Sequence, residues 1–183
     1  HDDSAISKTV QDNTDPSLVS AVISTNSLTL AFQKDRNGTA DITIRGTSNG
    51  KTVDDTFAVQ VEPVNDQPSI TSAQSTVADE NQTSVITVTA SDPDAEDSLR
   101  FSITGGSDSS LFSINETTGL LTFTGAQNFE SPADSDAGGD YEVDLTVTDN
   151  GSGNLSDTVT LTVTLSNVND APIINSSSDI YAD

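Results

Sequence analysis

At 183 residues and 32% hydrophobic content, the chain has room for one large domain or for two small ones with modest cores. It has no cysteine to build a disulfide scaffold and no apolar run long enough for a membrane span or a retained signal peptide. Its 29 acidic residues against 6 basic ones leave a net charge of −23, which repels nucleic acid and anionic membranes and strains a compact state unless cations neutralise it.

Abundant Ser, Thr, Asp and Asn with few aromatics would suit a disordered chain, but the periodicity contradicts that reading. In chain order, 39–45 (TADITIR), 53–61 (VDDTFAVQV), 84–90 (SVITVTA), 141–148 (YEVDLTVT) and 157–165 (DTVTLTVTL) alternate apolar with polar residues and are rich in Val and Thr. Such alternation predicts half-buried strands, and no segment carries the spacing of an amphipathic helix. Asn37-Gly38 and Asn49-Gly50 read as hairpin turns. Phe101, Phe112 and Phe123 alternate with polar neighbours and are assigned to the core.

The chain repeats itself. The 104-residue offset that carries Val64 onto Val168 also carries Ile70 onto Ile174 and Ala78-Asp79 onto Ala182-Asp183. Further back, 15–21 aligns with 108–114 and 27–32 with 119–124 at a shorter offset, because the second copy holds about ten extra residues around 128–140. The expected organisation is the later part of one repeat in 1–66, a complete repeat in 67–170, and the first strand of a third in 171–183. An all-β chain of tandem Greek-key β-sandwiches follows, the first incomplete and cut out of phase with its own period.

The polar phrase that ends each copy, PVNDQP at 63–68 and NVNDAP at 167–172, directly follows a predicted strand. A hard dication takes six to eight oxygens from carboxylates, amides and carbonyls. Asp92 and Asp94, two apart just past a strand, can share one side of an extended segment. If the 64–68 phrase enters at the same end, Asn65 and the carbonyl of Gln67 add oxygens, with Asp149 from a neighbouring turn. The phrase then reads as a hinge whose Asn and Asp bind metal and whose Pro68 or Pro172 stiffens entry into the next strand. The competing reading is that these residues only cap turns.

The residues from 67 to 170 resemble the extracellular cadherin repeat and its bacterial cadherin-like relatives, while the first segment resembles the bacterial repeats that end in Pro-Val-Asn-Asp, as 63–66 does, and often sit beside cadherin-like units in giant adhesins. The resemblance rests on Glu80 in ADENQT, Asp92 and Asp94 in ASDPDAED, Glu130 in QNFESP, Asp149 in TVTDNG, and Asn167, Asn169 and Asp170 in NVNDAP, in the family's order. It implies calcium held between consecutive domains. It also implies a second, weaker site at Glu80, Glu130, Asn169 and Asp170, whose other half would belong to a following domain. Where the family has Asp-Arg-Glu, this chain reads Asn128-Phe129-Glu130.

Other calcium motifs fail on spacing. From Asp92, EF-hand position 12 falls on Ile103, and the 134–140 stretch DSDAGGD occurs once, which suits a flexible acidic loop better than a stacked glycine-rich repeat. Catalysis has little footing: the one histidine is His1, there is no thiol, and no tryptophan to stack a sugar. The expected function is a calcium-rigidified spacer or adhesion module of a large secreted or cell-surface bacterial protein. Its partners would be neighbouring repeats and a cell-surface or matrix glycan or protein. Two rivals remain, a carbohydrate-binding module and a fibre subunit that donates 171–183 to a neighbour's incomplete sandwich.

Overall fold

The computed structural model describes residues 6–172. The expected strand at 171–183 therefore lies almost wholly outside the described residues. The described residues form two compact units, one from 6–66, 93–97 and 151–155, the other from 67–92, 98–150 and 156–172. Apart from one turn of 3-10 helix at Ser109–Leu111, the regular structure of the described residues is β.

In the first unit β1 (Ser7–Asn13), β4 (Gly38–Ser48) and β5 (Lys51–Val61) form one antiparallel sheet in the order β1-β4-β5, and β2 (Val19–Ser24) pairs with β3 (Ser27–Phe32) in another. Asn49-Gly50 is the two-residue turn expected: Ser48 pairs with Lys51, and both turn residues have positive φ, 49° and 74°. Asn37-Gly38 is not a hairpin turn, because β3 and β4 lie in different sheets. The chain there crosses between sheets, with the left-handed residue at Asp35 (φ 54°).

The second unit continues with β6 (Ser69–Ile70), β7 (Ser75–Asp79), β8 (Ser84–Thr87), β9 (Ala90–Ser91), β10 (Arg100–Gly105), β11 (Phe112–Ile114), β12 (Leu120–Phe123), β13 (Asp140–Thr148) and β14 (Ser156–Ser166). They assemble as β10-β13-β14-β7, β11-β12-β8 and β6-β9. The predicted strand over 84–90 is broken: its first half pairs with β12 and its end, as β9, with β6.

The sequence repeat has a topological counterpart, since β1-β4-β5 matches β10-β13-β14 and β2-β3 matches β11-β12. Among its described residues the first unit has no strand equivalent to β7 beside β5 or to β8 beside β3. Its core is correspondingly small, with Leu18, Val19, Ala40 and Ile42 buried, while Val22, Phe32 and Val53 remain exposed. The second unit buries three times as many apolar side chains. There Phe112 stacks on Phe123 at 4.7 Å, and Phe123 meets Tyr141 edge-on at 5.3 Å. Phe101 joins them in that core, as its alternation predicted.

Candidate metal centres

One strand pairing creates the first centre. β7 runs parallel to β14, with Asp79 opposite Ser166, so the next residue on each strand emerges at the same end of the sheet. Glu80 N then donates to Ser166 O at 3.1 Å. Glu80 is 1% exposed, and each of its carboxylate oxygens accepts an amide: Oε1 from Val168 at 2.8 Å and Oε2 from Phe129 at 2.9 Å. Those two bonds hold its carboxyl below the usual carboxylate range against the opposing effect of burial, and Glu130 adds a smaller lowering contact.

Glu80 thus stays ionised in the interior. The carboxylates of Glu80, Glu130 and Asp170 offer oxygens lying within 4.8 Å of one another. Asn167 Nδ2 donates to Glu130 Oε1 at 2.7 Å, and Asn81, left-handed at φ 62°, donates Nδ2 to Asp170 Oδ1 at 3.2 Å. Three carboxylates meet in a unit whose one Lys or Arg, Arg100, is paired with Glu116 at 2.9 Å. An oxygen-only donor set around a buried anion fits a hard cation.

The second centre is built in the loop after β9. Asp94 and Asp97, both half-buried, present oxygens within 4.8 Å of each other. Asp94 also carries the 63–68 phrase, because Asp66 N donates to Asp94 Oδ2 at 2.7 Å. A Cβ on Gly151 would collide with Asn65 Oδ1 and sit 2.5 Å from Asp97 Oδ2, so an amide oxygen and a carboxylate oxygen converge on that bare α-carbon. These groups line a cleft of about 500 Å³ in the first unit, with Asn65, Asp94, Glu96, Asp97 and Gly151 among its walls.

The structure gathers Glu80 with Glu130 and Asp170, while Asp92 follows β9 and Asp94 holds the 63–68 phrase through Asp66 N. Asn65 stands beside Asp97, and Asp149 is buried at the end of β13. The Gln67 side chain donates to Ser156 O at 2.7 Å, and Pro68 is buried directly before β6. Asn167 turns its amide nitrogen to Glu130, whereas Asn169 makes a 3.4 Å bond to Asp170 O. Sequence reasoning missed Asp97 and Asn81. Asp97 had a visible signal, the third acid in Asp92-x-Asp94-x-x-Asp97; Asn81 had none beyond its place next to Glu80.

The family model of the cadherin domain matches residues 74–166, half of the chain. This chain belongs to the cadherin family. Cadherin domains are extracellular adhesion modules rather than enzymes and generally bind Ca2+. Solved structures agree on the fold. Mouse cadherin-23 EC22-24 is 21% identical with TM-score 0.60, covering 89% of this chain and 53% of its own. Protocadherin gamma B2 domains 1-5 are 22% identical with TM-score 0.61, covering 90% and 34%. Human mucin-like protocadherin EC1-2 is 18% identical with TM-score 0.57, covering 90% and 86%. The chain spans 41% of the protocadherin gammaB7 EC3-6 structure, whose cis-dimer is a property of that protein.

Proposed function

We propose that this cadherin-family chain is a calcium-rigidified spacer or adhesion segment of a large secreted or surface-anchored bacterial protein. In this reading 1–66 is the later part of one repeat, 67–170 a complete repeat and 171–183 the start of another. The Pro63-Val64-Asn65-Asp66 ending supports the bacterial cadherin-like type. Partners are the neighbouring repeats and a cell-surface or matrix glycan or protein.

The observation that carries the proposal is Glu80: a buried carboxylate, clamped by two amides, with Glu130 and Asp170 beside it and no free Lys or Arg in its unit. Such a group is costly to hold unless a cation answers it. Calcium would be held there by Glu80, Glu130 and Asp170, with Asn167 and Asn169 close by. At the other centre Asp92, Asp94 and Asp97 would hold it with Asn65, Asp149 and the carbonyl of Gln67. Calcium supplies compact positive charge that joins segments far apart in sequence. Extracellular sites of this kind bind at about 0.1–1 mM, so the segment stiffens where calcium is plentiful. By mass action, calcium at 100 times its dissociation constant adds about 2.7 kcal/mol of stability per site.

The test is thermal unfolding of the full chain in chelator and then with calcium titrated through the millimolar range. The parent midpoint should rise with calcium, less so in Glu80→Gln and in the Asp92→Ala, Asp94→Ala double variant. A parent midpoint indifferent to calcium would sink the proposal and leave the carboxylates as turn caps and surface charge.

A further inference from the structure

The insertion that separates the second repeat from the first, expected as a flexible acidic loop, is wound around one buried carboxylate. Asp134 Oδ2 accepts the amides of Gly138 at 2.7 Å and Gly139 at 3.1 Å. Asp136 Oδ1 accepts the same Gly138 amide at 3.0 Å, so the two carboxylates face each other across one N–H. Asp108 reaches into the loop from the start of the 3-10 turn. Its Oδ1 accepts Ser135 N at 2.7 Å and its Oδ2 accepts Glu142 N at 2.8 Å. Beneath them the Tyr141 hydroxyl oxygen accepts Ala133 N at 3.1 Å.

The second oxygen of Asp134 does not fit a loop held by hydrogen bonds alone. The residue is 7% exposed, and Oδ1 is sealed from solvent with no hydrogen-bond donor facing it. A buried carboxylate oxygen without a donor forfeits its hydration for nothing in return. The unit's one Lys or Arg, Arg100, is paired with Glu116, and residues 101–183 contain none.

We propose that the 131–139 loop is a third cation site, taking calcium on Asp134 Oδ1 with Asp136 as the second carboxylate and Asp108 as supporting charge. All nearby donors are oxygens, which selects a hard cation over a thiophilic or imidazole-seeking metal. An irregular loop closed by two glycines suits the variable geometry of calcium better than the strict octahedron of magnesium. Its role is to pin the insertion onto β13 through Asp134 and Tyr141.

Terbium binds calcium's oxygen sites and luminesces when a nearby tyrosine passes it energy, which makes Tyr141 a built-in probe. The sequence has only Tyr141 and Tyr181 and no tryptophan. The full chain should give tyrosine-sensitised terbium emission that calcium displaces and Tyr141→Phe removes. Asp134→Asn and Asp136→Asn should each weaken terbium binding at this site by about tenfold or more. Asp136 is exposed, so its variant tests the site even where Asp134→Asn unfolds the loop. Emission should persist in Glu80→Gln and Asp94→Asn, which separates this site from the two centres above. The proposal is overturned if emission survives Tyr141→Phe, if Asp136→Asn leaves the titration unchanged, or if the Glu80 or Asp94 variant abolishes it.

Discussion

Glu80 and Val168 are 88 residues apart in the chain, yet the Val168 amide donates to Glu80 Oε1 at 2.8 Å. The bond exists because β7 lies parallel on β14, which places the start of the closing NVNDAP phrase against the buried acid. Replacing Glu80 by Gln keeps the shape, removes the charge and leaves one clamping amide without its acceptor. Calcium affinity measured by titration calorimetry should fall by about tenfold or more, and the calcium-free midpoint should also drop. An unchanged affinity would remove Glu80 from the centre.

Acid should weaken the same clamp. The Glu80 carboxyl sits below its usual range in the folded chain, so its contribution is complete above the unfolded value of about 4.3 and is lost as pH falls through the lower folded value. Unfolding midpoints in chelator, followed from pH 6 downwards, should decline more steeply across this window in the parent than in Glu80→Gln. Parallel curves would mean that the amide bonds do not favour the ionised form.

Gly151→Ala tests the Asp92 centre without touching a carboxylate. The added methyl meets Asn65 Oδ1 and Asp97 Oδ2, both ends of side chains that can swing aside. Fold stability should change little, whereas displaced ligands should lower calcium affinity by about 10- to 100-fold. A calorimetric titration identical to the parent would show that neither oxygen binds the ion.

Phe123→Ala addresses the scaffold that holds the Glu80 centre and the insertion loop. Phe123 is 3% exposed and bridges Phe112 and Tyr141. Its truncation should destabilise the second unit by about 3–5 kcal/mol in denaturant unfolding, with calcium unable to restore the parent midpoint. A loss below about 1 kcal/mol would mean that the site collapses around the missing ring.

Period-two alternation at 39–45, 53–61, 141–148 and 157–165 by itself located β4, β5, β13 and β14, because half-buried strands must alternate whichever partner they meet. The repeat likewise paired the strands of one unit with those of the other, since matched patterns build matched sheets. Asp92 and Asp94 were read from their spacing past a strand, and Glu80, Glu130 and Asp170 through family resemblance. Tertiary structure alone decided the rest. The strand over 84–90 breaks between two sheets, which no local pattern announces, and Asn37-Gly38 crosses between sheets although its residues suit a hairpin. The burial of Asp108 and Asp134 was equally hidden, because an acidic loop reads as solvated until Tyr141 and the loop's own amides close over it. Local composition encodes which face of a strand is apolar. Which carboxylate is sealed from water depends on contacts between segments distant in sequence, and these exist only once the sheets have packed.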